Sequence, residues 1–174
     1  MYYGELKKRD IANGLGVRVA LFVSGCTNHC EECFNRDTWD FHFGKEYTME
    51  TENEIIEAMR PDFVRGLSLL GGEPMEPKNQ PQLLSLVKRA KKELPHKDIW
   101  CYTGFTYDEL LDRRAYPNTE IVEELLSYID VLVDGRFEKD KRNLMLKFRG
   151  SENQRLIDLN KTRKQNKVVL LDIE

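Results

Sequence analysis

The segment SGCTNHCEECF at residues 24–34 holds three of the four cysteines of this 174-residue chain. Three residues separate Cys26 from Cys30, and two separate Cys30 from Cys33. Thiolates are soft anionic ligands that suit zinc and iron–sulfur clusters. A loop this short directs three sulfurs at one metal centre, whereas structural zinc takes four protein ligands. The spacing therefore favours a four-iron cluster in which one iron has no cysteine and is free to bind a substrate.

The cysteine segment follows a run that is typical of a buried strand. Residues 17–23, VRVALFV, are mostly apolar and rich in β-branched side chains, as in a strand covered on both faces. The cysteines then lie just beyond the carboxyl end of this strand. Since α/β folds place their chemistry at such ends, the pattern predicts a functional site there.

Strands and helices alternate along the rest of the chain. Further strands are predicted at residues 63–70, 98–104, 129–135 and 167–172. Helices are predicted after a capping box at residues 51–54, between Pro81 and Pro95, and at about residues 107–114 and 118–128. This alternation predicts an α/β fold with a mostly parallel sheet, as a single domain over residues 1–174. A complete eight-unit barrel needs about 250 residues, so the chain length leaves room only for a partial (β/α) barrel.

Two motifs in this order resemble the signature of the radical S-adenosylmethionine (SAM) superfamily. They are the C-x-x-x-C-x-x-C spacing and LLGGEP at residues 69–74. Two later stretches, VLVDGRF at residues 131–137 and FRGSENQR at residues 148–155, are similar to those of the proteins that activate anaerobic ribonucleoside-triphosphate reductases. The resemblance covers residues 10–155. It implies a partial barrel of the radical SAM type.

The resemblance also implies the residues that hold two cofactors. Cys26, Cys30 and Cys33 would bind a [4Fe-4S] cluster. The turn formed by Gly71, Gly72 and Glu73 would hold the amino group of SAM, although Gly-Gly before proline also makes simple turns.

An adenine contact is implied for Glu32, Cys33 and Phe34. The residue before the third cysteine is often aromatic in the superfamily and is Glu32 here, so Phe34 is the expected replacement. No catalytic acid or base residue is predicted.

The resemblance implies a reductive activating enzyme. SAM would be cleaved to methionine and a 5′-deoxyadenosyl radical, which would remove a hydrogen atom from one glycine of the large subunit of the reductase. A flavodoxin-like protein would supply the electron.

Two alternatives remain open at this point. The chain could activate another glycyl-radical enzyme, such as pyruvate formate-lyase. It could instead be a non-catalytic zinc-binding adaptor, with Cys101 or His29 as the fourth ligand. We expect Cys101 to pack in the core, as free cysteines commonly do, and His29 to support the loop without binding metal.

Composition and charge argue against several other classes of protein. No apolar run reaches the ~20 residues that span a bilayer, and the N-terminus has no apolar signal segment. We therefore expect a cytoplasmic protein without membrane contact. The net charge of −3 disfavours a general nucleic-acid binder.

Charge is unevenly spread along the chain. Residues 136–167 hold eleven Lys or Arg and four Asp or Glu, an excess of +7. Mixed charges of this kind usually form a solvated surface. The alternative is a basic docking face for an acidic partner.

Overall fold

A computed structural model describes residues 1–173, in which seven strands form one mixed sheet. The strands are β1 (Tyr2–Asp10), β2 (Val17–Val23), β3 (Lys45–Glu46), β4 (Val64–Gly71), β5 (Asp98–Tyr102), β6 (Val131–Asp134) and β7 (Arg155–Asp158). Their order across the sheet is β3-β1-β2-β4-β5-β6-β7. The helices are α1 (Met49–Met59), α2 (Gln80–Glu93), α3 (Tyr107–Leu111), α4 (Val122–Ser127) and α5 (Leu159–Gln165).

The centre of the sheet is parallel, as the sequence predicts. Strands β2, β4, β5 and β6 pair in parallel, which requires crossover connections such as those that contain α1 and α2. The strands toward both edges are antiparallel: β1 pairs with β2, β3 with β1, and β7 with β6. The fold is therefore α/β with a mixed sheet, and the prediction of a mostly parallel sheet holds for its central strands.

Two local predictions are wrong. No strand forms at residues 167–172, where Leu170 makes one isolated bridge to Ile157; the last strand is β7, which pairs along its whole length with β6. The first helix is capped by Thr48 instead of Thr51. The side chains and backbones of these two threonines bond reciprocally, so the capping box begins three residues earlier than predicted.

The two faces of the sheet are covered differently. Helices α1, α2 and α4 pack their apolar sides on one face, and the residues there form the larger buried cluster. The other face carries a smaller cluster built on Trp100, Val131, Val133 and Leu156, against which Leu15 and Phe148 pack from loops. A cavity therefore remains on this second face.

None of the helices in the described part of the chain is long and apolar enough to cross a membrane.

Candidate active site

The cysteine loop and the Gly-Gly-Glu turn meet because their strands are neighbours. Val23, the last residue of β2, pairs with Gly71, the last residue of β4. Beyond this pair, the Gly72 N–H donates to the Val23 carbonyl at 2.7 Å, and the Glu73 N–H donates to the Gly25 carbonyl at 2.8 Å. The parallel register thus brings together two motifs that lie about forty residues apart in the sequence.

The two glycines of the turn are required by contacts within the chain itself. Gly71 has a φ of 110°, and a Cβ there would lie 2.6 Å from the Val23 nitrogen. A Cβ on Gly72 would lie 2.7 Å from the Thr38 carbonyl oxygen and 2.8 Å from that of Gly25. Side chains are excluded at both positions because three stretches of backbone pack closely there.

All three cysteines of the loop line one cavity of about 720 Å³ on the second face of the sheet. The predicted contacts Phe34, Gly71, Gly72 and Glu73 line it as well. Glu32 does not belong to the cavity wall; its side chain is exposed and its backbone has a φ of 60°. The structure thus brings together every predicted site residue except Glu32.

The four cysteines differ in burial. Cys26 is 8% exposed, Cys30 and Cys33 are half-buried, and Cys101 is fully buried in β5 among core residues. The prediction that Cys101 packs in the core is confirmed. Burial raises the pKa of Cys26 to about 11, with a further contribution from the charge of Glu73. A thiolate at Cys26 therefore needs nearby positive charge, which a bound metal centre would provide.

The three loop cysteines raise the question of which metal centre they could hold. Among residues 1–173, no three His, Cys, Asp or Glu side chains stand close enough to hold a single metal ion. A tetrahedral zinc ion needs its ligands to converge. In an iron–sulfur cubane each thiolate binds a different iron, so the sulfurs are spread around the cluster. The three thiols of the loop line one cavity and are soft donors of the kind that such a cluster takes.

Glu73 is buried and accepts four hydrogen bonds. Its Oε1 accepts from the Gly104 N–H at 2.7 Å and from Asn28 Nδ2 at 3.0 Å, and its Oε2 accepts from Thr103 Oγ1 at 2.7 Å and from the Met75 N–H at 2.9 Å. Burial raises the pKa of Glu73 to about 7, and the bonds from Thr103 and Gly104 oppose this shift. The four bonds fill the carboxylate's usual capacity, so a ligand amino group would have to share or displace a donor.

Asn28 is the donor to Glu73 that comes from the cysteine loop. Its side-chain oxygen accepts from Arg136 Nε at 3.1 Å, and Arg136 also pairs with Glu109 at 3.1 Å. Arg136 belongs to the DGR stretch that follows β6. This chain of contacts joins the cysteine loop to the ends of β4 and β6.

Three residues of the cavity wall carry a buried polar atom that has no hydrogen-bond partner in the described structure, and Trp39 with its Nε1 is one of them. The Tyr102 hydroxyl at the end of β5 and Arg149 Nε are both buried without a hydrogen bond in the described structure. Burying such groups unpaired costs about 1–3 kcal/mol each. Both atoms can donate to a ligand that offers hydroxyl, carbonyl or carboxylate oxygens.

Aromatic contacts hold the outer part of the cysteine loop. The His29 ring stacks on Trp39 with their centroids 4.3 Å apart. Phe34 is 72% exposed; its ring lies 5.8 Å from that of Phe137, and the guanidinium of Arg142 lies 5.6 Å from it. His29 thus packs within the loop, and Phe34 forms part of the cavity rim.

Several residues of the site were missed by the sequence analysis. They are Asn28, Glu76, Tyr102, Thr103, Gly104 and Arg149. Tyr102 to Gly104 end a predicted strand, and Glu76 follows Glu73 by three residues, so position alone offered a signal for these four. Asn28 lies in the cysteine segment and Arg149 in the stretch at residues 148–155, but no pattern in either stretch gave these two residues a role.

Comparison with known proteins gives concordant matches. Residues 12–157 match a family model described as "4Fe-4S single cluster domain". The chain is 45% identical to the anaerobic ribonucleoside-triphosphate reductase-activating protein of Vibrio cholerae over 156 residues. This alignment covers 88% of the present chain and 96% of the relative. Proteins of the same name from Pasteurella multocida and Escherichia coli are 42% and 40% identical, each over 88% of this chain and 95% and 96% of the relatives.

Proposed function

Because the chain belongs to the family of anaerobic ribonucleoside-triphosphate reductase-activating proteins, we propose that it generates the glycyl radical of such a reductase by reductive cleavage of SAM. The observation that carries the proposal is the single cavity shared by Cys26, Cys30, Cys33 and Glu73. We assign residues 1–174 to one radical SAM domain of the partial-barrel type, and we expect a flavodoxin-like electron donor.

The three thiols are the proposed ligands of a [4Fe-4S] cluster. They line one cavity. The loop contains no fourth cysteine, and Cys101 is buried in the core, away from the cavity wall. The Asn35 N–H points at the Cys33 sulfur at 3.4 Å. Hydrogen bonds of this kind to sulfur tune the potential of a cluster.

The remaining cavity suits a polar, elongated ligand such as SAM. The proposed contact for the SAM amino group is Glu73, with Asn28 as the donor that it would displace. The unpaired Tyr102 hydroxyl and Arg149 Nε are proposed to donate to oxygen atoms of the ligand. Apolar side chains of Leu70, Val133 and Phe148 complete the wall and would keep water from the reacting atoms.

A [4Fe-4S] cluster held by Cys26, Cys30 and Cys33 would supply the electron for the cleavage of SAM into methionine and a 5′-deoxyadenosyl radical, and a hydrogen atom would then be removed from one glycine of the reductase. The residues of this chain bind, orient and shield the reactants. No side chain is assigned to proton transfer.

The test begins with anaerobic reconstitution of the chain with iron and sulfide. We expect about four irons and four sulfides per chain, release of 5′-deoxyadenosine from SAM under dithionite, and a glycyl-radical electron spin resonance signal on the reductase. Cys26→Ala should abolish cleavage, while the matched control Cys101→Ala should keep the cluster.

Three outcomes would contradict the proposal or a part of it. Uptake of zinc without sulfide would favour the adaptor. Cleavage of SAM by the Cys26→Ala protein would refute the ligand assignment. A radical that forms on pyruvate formate-lyase and not on the reductase would refute the assigned partner.

A further inference from the structure

Glu76 is a second buried glutamate beside the cysteine loop, and neither the sequence motifs nor the proposed chemistry assigns it a role. It lies in the turn between β4 and α2 and is 0% exposed. Its Oε1 accepts from the Thr27 N–H at 2.6 Å and from Thr27 Oγ1 at 2.7 Å, and its Oε2 accepts from the Tyr116 hydroxyl at 2.7 Å.

The partners of Glu76 are those that an ionised carboxylate needs. All three groups are donors, and an ionised carboxylate can only accept. In the described part of the chain no Lys, Arg or His pairs with it. A buried anion without a cation is costly to maintain, so its presence beside the loop calls for a specific role.

The contact with Thr27 fixes the part of the loop that separates Cys26 from Cys30. Glu76 itself is held in place because its carbonyl accepts from the Asn79 N–H at 2.8 Å, and Asn79 Nδ2 donates to the Ser24 carbonyl at 3.0 Å. The turn after β4 and the start of the cysteine loop are thereby joined at two points, of which the contact between Asn79 and Ser24 is buried and that between Glu76 and Thr27 is partly buried. The charge of Glu76 also reaches Cys26, whose pKa it raises after the larger effects of burial and Glu73.

We propose that Glu76 is a positioning residue of the metal centre: its buried carboxylate anchors the cysteine loop through Thr27, and its negative charge keeps the reduction potential of the bound cluster low. The inference rests on the proposed function, since it requires that the cysteines hold a cluster. Net charge and solvent exposure set the potentials of iron–sulfur clusters. Adding an electron next to a fixed buried anion is unfavourable, so loss of the anion should make reduction easier.

The experiment compares Glu76→Gln with Tyr116→Phe and the parent chain, each reconstituted anaerobically. Glu76→Gln keeps the size of the side chain and removes the charge, whereas Tyr116→Phe removes one hydrogen bond and keeps the charge. We expect a more positive midpoint potential in an anaerobic redox titration of Glu76→Gln, and the parent potential in Tyr116→Phe. Iron release to a chelator should be several-fold faster from Glu76→Gln.

A potential of Glu76→Gln that equals the parent's, or a shift of equal size in Tyr116→Phe, would overturn the electrostatic role. If Glu76→Gln does not fold, Thr27→Val tests the anchor, because it removes one of the two bonds to Glu76. Its iron should leave several-fold faster than that of Tyr116→Phe, and equal rates would overturn the anchor. A parent chain that takes up no iron and sulfide would instead refute the proposed function, so the two failures are distinguishable.

Discussion

At the scale of single residues, the protonation of each ionisable group in and around this site depends on how deeply the group is buried. Cys101 and Glu73 are both fully buried, but Cys101 is surrounded by apolar core and Glu73 by four donors. Burial shifts both groups toward their neutral forms. The consequences for a thiol and for a carboxyl group can be measured separately.

The cysteines of the metal-free chain should differ in their reactivity. Burial raises the pKa of Cys101 well above its ordinary value and that of Cys26 to about 11. Burial also raises the pKa of Cys30, but Cys30 and Cys33 are only half-buried. Because the reactive thiolate must also be accessible, iodoacetamide at pH 8 should modify Cys30 and Cys33 first, Cys26 slowly and Cys101 only after unfolding. Peptide mass spectrometry would follow each site. Modification of Cys101 in the folded chain at the rate of Cys30 would contradict its burial.

Glu73 should make the metal-free chain less stable as pH rises. Its pKa is about 7 in the folded chain against an ordinary value of 4.5, so between these values the folded state binds more protons than the unfolded state. The free energy of unfolding should therefore fall with rising pH across this window, by on the order of 3 kcal/mol for this fully buried group.

Urea unfolding at pH 5 and pH 8 would measure this contribution. Glu73→Gln should reduce the difference between the two pH values, and the control Glu50→Gln, on the exposed first turn of α1, should not. An unchanged difference in Glu73→Gln would show that Glu73 stays ionised throughout.

At the scale of elements, the site depends on the register between β2 and β4. The pairing of Val23 with Gly71 sets the cysteine loop against the Gly-Gly-Glu turn. The segment of residues 36–39 packs equally closely, because the Thr38 carbonyl oxygen lies 2.7 Å from the position that a Cβ on Gly72 would take. The loop, the turn and the short 3₁₀ helix Arg36–Trp39 thus form one tightly packed unit.

Gly72→Ala should separate these three segments. The added methyl group would overlap two backbone oxygens that cannot rotate away, so we expect a loss of about 1–3 kcal/mol and weaker retention of iron. Thermal unfolding and chelator release would measure the two effects. The control is Gly150→Ala, whose methyl group would meet no backbone atom, but the side chains of Phe137 at 3.0 Å and Gln154 at 3.8 Å. Equal losses of stability and iron in both variants would show that the close packing at Gly72 matters no more than the packing at Gly150.

Elements with local signals were predictable, and those that depend on distant partners were not. The cysteine spacing, the run of β2 and the turn after β4 are continuous patterns. By contrast, β1 carries five charged residues among nine and forms an edge region whose strand character comes from pairing with β2. Glu76 and Thr27 lie 49 positions apart, so only the parallel register reveals their contact.

The whole molecule has an uneven distribution of charge that is partly neutralised by ion pairs. Within the basic segment, residues 136–167, Arg155 pairs with the buried Asp134 at 2.6 Å, Arg136 pairs with Glu109 at 3.1 Å, and Lys139 pairs with Glu31 of the cysteine loop at 3.1 Å. Part of the local excess of positive charge therefore stabilises the fold. Of the other basic residues in this segment, Arg142 and Arg149 form part of the cavity wall, and Lys161, Arg163 and Lys164 lie on α5.

Association with the reductase should weaken as ionic strength rises if this segment is a docking face. Salt screens exposed charges beyond a Debye length of about 8 Å at 0.15 M, so a severalfold loss of affinity is expected on adding salt. Lys147→Gln should reduce the salt dependence, and the control Lys92→Gln on α2 should not. Titration calorimetry at several salt concentrations would measure both. An affinity that does not change with salt would rule out electrostatic docking.

The second face of the sheet is covered by loops and not by helices, and this affects how the cavity can open. Displacement of the segment that carries Arg142 and Phe148 would uncover the cavity, while the apolar layer beneath α1, α2 and α4 would stay intact. A bulky polypeptide could therefore reach the cavity after a local opening of this segment, without cooperative unfolding of the whole molecule. The candidate site thus lies where the packed sheet meets the loops that cover its second face.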